Sequence, residues 1–178
     1  MKPAALLALL AGYVFARAAL GALVNPPFNG PDEAGHVEYV RTLVETGGQR
    51  VTGVEARQPP LYYSMAALLW MATEGDTLSA RLFTVRLLSA AAGVVTLGLT
   101  WQAARLIWPG RALLAVAAGA MATLAPGHLF LLASVNNDPL AATWASLTVL
   151  AALRLALGPS SGRWWWIWGL AAGGALGS

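Results

Sequence analysis

The chain has 178 residues, of which 57% are hydrophobic and only 11% charged, against roughly a quarter charged in a soluble domain. Its mean hydropathy is +0.60, and a chain this poor in polar surface cannot cover itself in water, so composition excludes an ordinary soluble domain and points to a membrane. The absence of cysteine excludes a disulfide framework and thiolate metal sites, and a net charge of +3 on scattered arginines gives no case for nucleic acid binding.

Ala4 to Val24 is long and apolar enough to span a bilayer. Lys2 before it resembles the start of a signal peptide, but no convincing small-residue cleavage site precedes Asn25 and further apolar runs follow. The span holds one charge, Arg17, which must snorkel to an interface or face the bundle interior. Asn25-Pro26-Pro27 stops the helix, because proline lacks the backbone donor and clashes with the preceding turn.

Residues 25–81 form the only long polar stretch and hold every acid of the chain except Asp138. Pro31 suits a first helical turn, and Val37, Val40, Leu43 and Val44 recur at helical spacing. A short amphipathic helix is expected from about Pro31 to Glu45, ended by Gly47-Gly48. Asp32 and Glu33 then fall in its first turn, where the helix dipole favours negative charge. A second short helix is expected from Pro59-Pro60 through LYYSMAALLWMA, lying in the membrane interface.

Further spans are expected at Leu82 to Trp108, at Ala112 to about Leu132, and at Leu140 to Leu157. The polar hairpin SVNNDP, Ser134 to Pro139, separates the last two, and GPSSGR makes the next turn. A fifth run begins at Trp164 with three tryptophans, an interfacial anchor, and reaches Ser178 too soon for a full span. The expectation is an all-α polytopic bundle of about five spans, one transmembrane domain over residues 1–178, forming the N-terminal part of a longer protein.

Successive spans alternate sides, so the 25–81 segment and the 134–139 hairpin share one face. Lys2, Arg105, Arg111, Arg154 and Arg163 flank the other, whereas the hairpin has no basic residue. The positive-inside tendency puts the N-terminus in the cytoplasm and the 25–81 loop outside. Arg41, Arg50, Arg57 and Arg81 in the long segment weaken that bias.

One spanning helix, an outer loop opening with PDEAGH and containing RQPPLYY, a span entered by arginines, and an outer hairpin with NNDP form a recognisable order. It resembles the GT-C superfamily of integral-membrane glycosyltransferases, such as the protein mannosyltransferases, the lipid A aminoarabinose transferases and their bacterial relatives. The resemblance implies transfer of a sugar from a polyprenyl-phosphate donor to a cell-envelope acceptor, outside the bacterial inner or plasma membrane. Many relatives carry a histidine before the proline pair; here Gln58 stands in its place.

The resemblance implies that Asp32 is the catalytic base, which takes the acceptor proton during attack on the anomeric carbon. Glu33 shares the role or orients the acceptor. Direct displacement of this kind inverts the anomeric centre. Arg57, Arg81 and Arg86 are candidates for the phosphate, which a guanidinium matches in a bidentate way. Asn136, Asn137 and Asp138 would face the same cavity and bind sugar hydroxyls or a metal. His36, one turn from Asp32, is a candidate ligand beside the carboxylates; Gln58 and Tyr62 complete the substrate-binding set.

Each residue has a plainer alternative. Asp32 and Glu33 suit a first helical turn, His36 a structural hydrogen bond, and the arginines headgroup contacts. The NND run suits a turn, and the PPLYY aromatics suit interfacial anchors. A divalent metal is left open. Two other function classes compete: a transporter with acids lining an ion path, and a non-catalytic subunit that binds polyprenyl lipid.

Overall fold

A computed structural model describes residues 2–48, 53–157 and 162–177. Among them the structure is all helical, with no strand. In chain order the elements are α1 (Pro3–Val24), α2 (Glu33–Thr46), a 3-10 turn (Val54–Arg57), α3 (Pro60–Ala72), α4 (Leu78–Ile107), α5 (Ala112–Thr123), α6 (Pro126–Leu131), α7 (Asp138–Leu157) and α8 (Gly162–Gly177). Arg50 and residues 158–161 of the expected GPSSGR turn lie outside the described residues.

The helix ends follow from local chemistry. Pro3, Pro60 and Pro126 open α1, α3 and α6, where the missing N–H costs nothing. Thr77 starts α4 by accepting a hydrogen bond from the Ala80 amide at 3.3 Å. Gly47, at φ +59°, closes α2 in the left-handed region that a helix C-terminus commonly uses.

Among the described residues, three helices are long and apolar enough to cross a membrane: α1, α4 and α7. The run expected as one span from Ala112 to about Leu132 is instead broken in two. Ala125 has extended backbone, with ψ 128°, because the ring of Pro126 disfavours the helical region for the residue before it. The apolar helices α5 and α8 are shorter, with 12 and 16 residues.

The helices α1, α4, α5 and α7 form the body of the bundle, with α8 against α7. The amphipathic α2 and the apolar α3 pair with each other over the N-terminal end of α4. The C-terminal end of α1 and the hairpin between α6 and α7 reach the same end of the bundle, referred to below as the loop end. A large cluster fills it: Val37 and Val40 of α2, Tyr62, Tyr63, Ala66 and Trp70 of α3, Leu82 and Val85 of α4, and Val135 of the hairpin. A second cluster lies deeper, with Val14, Ala18, Ala90 and Leu132.

Tyr62 and Tyr63 are both 0% exposed, so they are core residues and not interfacial anchors. Their rings meet edge to face at 5.4 Å, and Tyr63 stacks on Tyr39 at 3.7 Å. Such pairs add about 0.5–1.5 kcal/mol beyond area burial. This packing fixes α3 to α2 and so fixes the helix that carries the acidic pair.

Candidate functional site

The site is organised by a buried ion pair between the first turn of α2 and the first third of α4. Glu33 is 0% exposed and Arg86 is 2% exposed. The Arg86 Nε donates to Glu33 Oε1 at 2.8 Å, and Nη2 donates to Oε2 at 2.7 Å. Its remaining N–H groups go to the carbonyls of Ala22, Asn25 and Pro26 at 2.8–2.9 Å. All five guanidinium donors are thereby used. Those carbonyls are ones that the end of α1 leaves without helical partners, so Arg86 caps α1 from the side.

Glu33 is equally saturated. Besides the two guanidinium bonds, it accepts the Val135 amide at 2.8 Å and the Gly30 amide at 3.5 Å. Burial pushes its carboxyl up; the Arg86 hydrogen bonds, the Val135 amide and the guanidinium charge outweigh this and hold it below its ordinary value. A β-carbon on Gly30 would stand 2.5 Å from Ser134 Cβ, so glycine is what lets the PDEAGH loop lie against the hairpin.

These contacts engage two of the expected site residues: the Glu33 carboxylate is buried with its lone pairs taken, and Arg86 has no donor left. Tyr62 and Asn136 are drawn into the packing as well. The Tyr62 hydroxyl accepts the Asn136 amide at 3.0 Å and lies 3.5 Å from Ser89 Oγ, which reaches the Asn136 carbonyl at 3.3 Å. Asn136 Oδ1 accepts the Asp138 amide at 2.8 Å and so starts α7. Burial pushes the Tyr62 hydroxyl up to about 12. Glu33, Arg86 and Tyr62 thus have their side-chain polar atoms engaged, and Asn136 has its Oδ1 engaged.

His36 is 3% exposed, with Nδ1 sharing a 2.8 Å hydrogen bond with the Tyr63 hydroxyl. Burial lowers its pKa against the opposing pull of Glu55, Asp32, Asp138 and Glu33, so it is a neutral, structural histidine and not a surface ligand. Arg81 is also committed elsewhere. It donates to the Trp70 carbonyl at 3.0 Å and lies over the Trp70 ring at 4.2 Å, in a cavity shared with Arg41, Glu45, Glu74 and Asp76.

Of the remainder of the predicted set, Asp32, Arg57, Gln58 and Asp138 are exposed at the loop end and Asn137 is buried there. Asp32 is exposed, and its carboxylate accepts no hydrogen bond from another described residue. It sits at φ +52°, in the left-handed region, which aspartate tolerates better than most side chains. Asp138 is exposed in the first turn of α7. Asn137 reaches the exposed Gln58 side chain through Nδ2 at 3.4 Å, and the Tyr39 hydroxyl donates to the Gln58 carbonyl at 3.4 Å. Arg57 is exposed at the end of the 3-10 turn.

The acidic dipeptide and the asparagine-rich hairpin thus meet, through Glu33, Val135 and Gly30. The structure adds Glu55, which the sequence did not single out. It is half-buried, its charge acts on His36, and its Cγ would stand 3.1 Å from a β-carbon on Gly35. Its one sequence signal was its place two residues before the RQPP motif. Four cavities elsewhere on the molecule are lined by other residues, not by Asp32, Asn137 or Asp138. The exposed groups, Asp32, Arg57, Gln58 and Asp138, form an open patch, with the buried Asn137 bonded to Gln58. Among the described residues, no three of His, Asp and Glu converge as a metal-holding group.

No known protein family, no curated protein and no solved structure matches this chain.

Proposed function

We propose that the protein is a membrane glycosyltransferase that moves a sugar from a polyprenyl-phosphate donor to a cell-envelope acceptor, at the outer face of the membrane. The observation that carries this is the division of labour within the acidic dipeptide. Glu33 is saturated by Arg86 and holds the loop rigid, whereas its neighbour Asp32 is left exposed and unpartnered in an unusual backbone conformation. Backbone held in a sparsely populated region is typical of functional positions, and a carboxylate mounted on a rigid platform is what a general base needs.

In this proposal Asp32 accepts the proton of an acceptor hydroxyl as its oxygen bonds to the anomeric carbon. The bond from that carbon to the phosphate oxygen breaks, and the phosphate leaves with the electron pair. Arg57, exposed and without a partner among the described residues, is the cation available to receive it, since Arg86 is fully engaged and Arg81 is held on Trp70. Gln58 and Asp138, both exposed, supply hydrogen-bonding groups for the sugar. One-step displacement inverts the anomeric centre.

The test compares transfer by the gene's full product, in membranes supplied with a polyprenyl-phosphate sugar, for wild type and Asp32→Asn. Loss of a general base lowers the rate by about 10²–10⁴-fold. Undiminished transfer by Asp32→Asn removes Asp32 from the mechanism.

A further inference from the structure

A groove of about 360 Å³ runs between the C-terminal half of α1 and α6, and Arg17, Val24, Asn25, Leu129 and Phe130 line it. Arg17 is exposed within the longest apolar stretch of α1 and forms no ion pair or hydrogen bond with another described residue. Its Nη1 lies 3.9 Å from where a β-carbon of Gly21 would be. The side chain therefore reaches toward the loop end, alongside the next turn of α1, although helical side chains ordinarily lean the other way. A guanidinium at this depth requires water or an anion.

The walls decide which. Val24 and Phe130 are exposed large apolar side chains on the groove, and α1 is one of the three helices able to cross a bilayer. The groove is walled mostly by apolar side chains, and Arg17 is the charged residue that lines it. The Asn25 side chain stands beside its loop-end mouth. A free anion has no apolar surface to place there; a lipid with a phosphate headgroup matches both parts, and basic pockets between membrane helices take such headgroups.

We propose that the groove between α1 and α6 is a docking site for one anionic membrane lipid, with its phosphate on Arg17 below the Val24 and Asn25 mouth and its chain running inward past Leu129. The site needs neither Asp32 nor any transfer reaction. Its relation to the patch is direct all the same: Asn25 opens the loop that carries Asp32, and Ala133, also on the groove, precedes the hairpin that Glu33 holds. A lipid seated here brings its headgroup to the edge of the candidate site from the bilayer side.

The experiment uses the full chain in phosphatidylcholine nanodiscs titrated with phosphatidylglycerol, with retained lipid counted by native mass spectrometry. Wild type is expected to retain phosphatidylglycerol over phosphatidylcholine, and Arg17→Gln to weaken that retention about ten- to a hundredfold, the loss expected for a charged hydrogen-bonded pair. Arg17→Lys keeps the charge and part of the affinity. Val24→Trp, at an exposed position, fills the groove and lowers retention with Arg17 intact. Equal retention by wild type and Arg17→Gln overturns the proposal. So does displacement by inorganic phosphate, which would assign the site to a soluble anion, or unchanged retention by Val24→Trp, which would place the lipid elsewhere. If Arg17→Gln fails to fold, the Arg17→Lys and Val24→Trp pair decides by the same criteria.

Discussion

Glu33→Ala is the sharpest test of the structural argument. The substitution removes four accepted hydrogen bonds, two from Arg86 and one each from the amides of Val135 and Gly30. It leaves the Arg86 charge 2% exposed without its counter-ion and the Val135 amide without an acceptor. Breaking a buried pair from one side costs about 3–5 kcal/mol, a large share of a total folding stability of about 5–15 kcal/mol. The double variant Glu33→Leu with Arg86→Met removes both charges and should recover part of that loss. It should not recover all of it, because the carbonyls of Ala22 and Asn25 then lose the Arg86 donor, at about 1–3 kcal/mol for each that stays buried and unmet. The assay is reversible unfolding in detergent micelles, read as a four-member mutant cycle. A loss under about 1 kcal/mol for Glu33→Ala, well short of a buried pair, would refute the claim that this pair pins the loop end.

Asp32→Asn should leave stability within about 0.5 kcal/mol of wild type, as exposed substitutions do, while Asp32→Ala should lose about 1–2 kcal/mol from the left-handed backbone alone; equal stabilities would mean that position 32 is unstrained in solution. The His36 pKa is lowered by burial from 6.5, so the unfolded chain binds its proton first as pH falls. Its contribution is complete above pH 6.5 and is lost as pH drops toward the folded-state value; unfolding midpoints across this range should flatten in His36→Gln, and an unchanged slope would assign the titration elsewhere. Glu33 acts lower: its folded-state pKa lies below 4.5, so its stabilisation is full above that pH and fades as pH falls through the depressed value, a dependence that Glu33→Gln should abolish. Asn136→Ala should cost about 1 kcal/mol through loss of the α7 cap, and hydrogen exchange at the Asp138 amide should rise.

Proline and glycine made much of the fold legible. The start of α3 at Pro60 and the end of α2 at Gly47 fall where those residues demand them. Pro126 stands inside the apolar run from Ala112 to about Leu132, and such a run shows its length more plainly than a break inside it. The division within PDEAGH was not legible. Adjacent helical residues point about 100° apart, so one of the two acids faces inward, but which one depends on Arg86, 53 positions away, and on Val135, 102 positions away. Tyr62 and Tyr63 misled for a related reason: an aromatic pair beside a membrane reads the same whether it meets lipid or the inside of α2.

The Arg86 network also sets an order of assembly. Its acceptors on α1 precede it by 60–64 positions and Glu33 precedes it by 53, so these bonds can form once α4 has been inserted. The Val135 amide is synthesised much later and closes the last side of Glu33. During synthesis, then, the segment around Asp32 should be tethered early but locked late. Protease should still cut it in arrested chains that lack α7, and should spare it once that helix is in place.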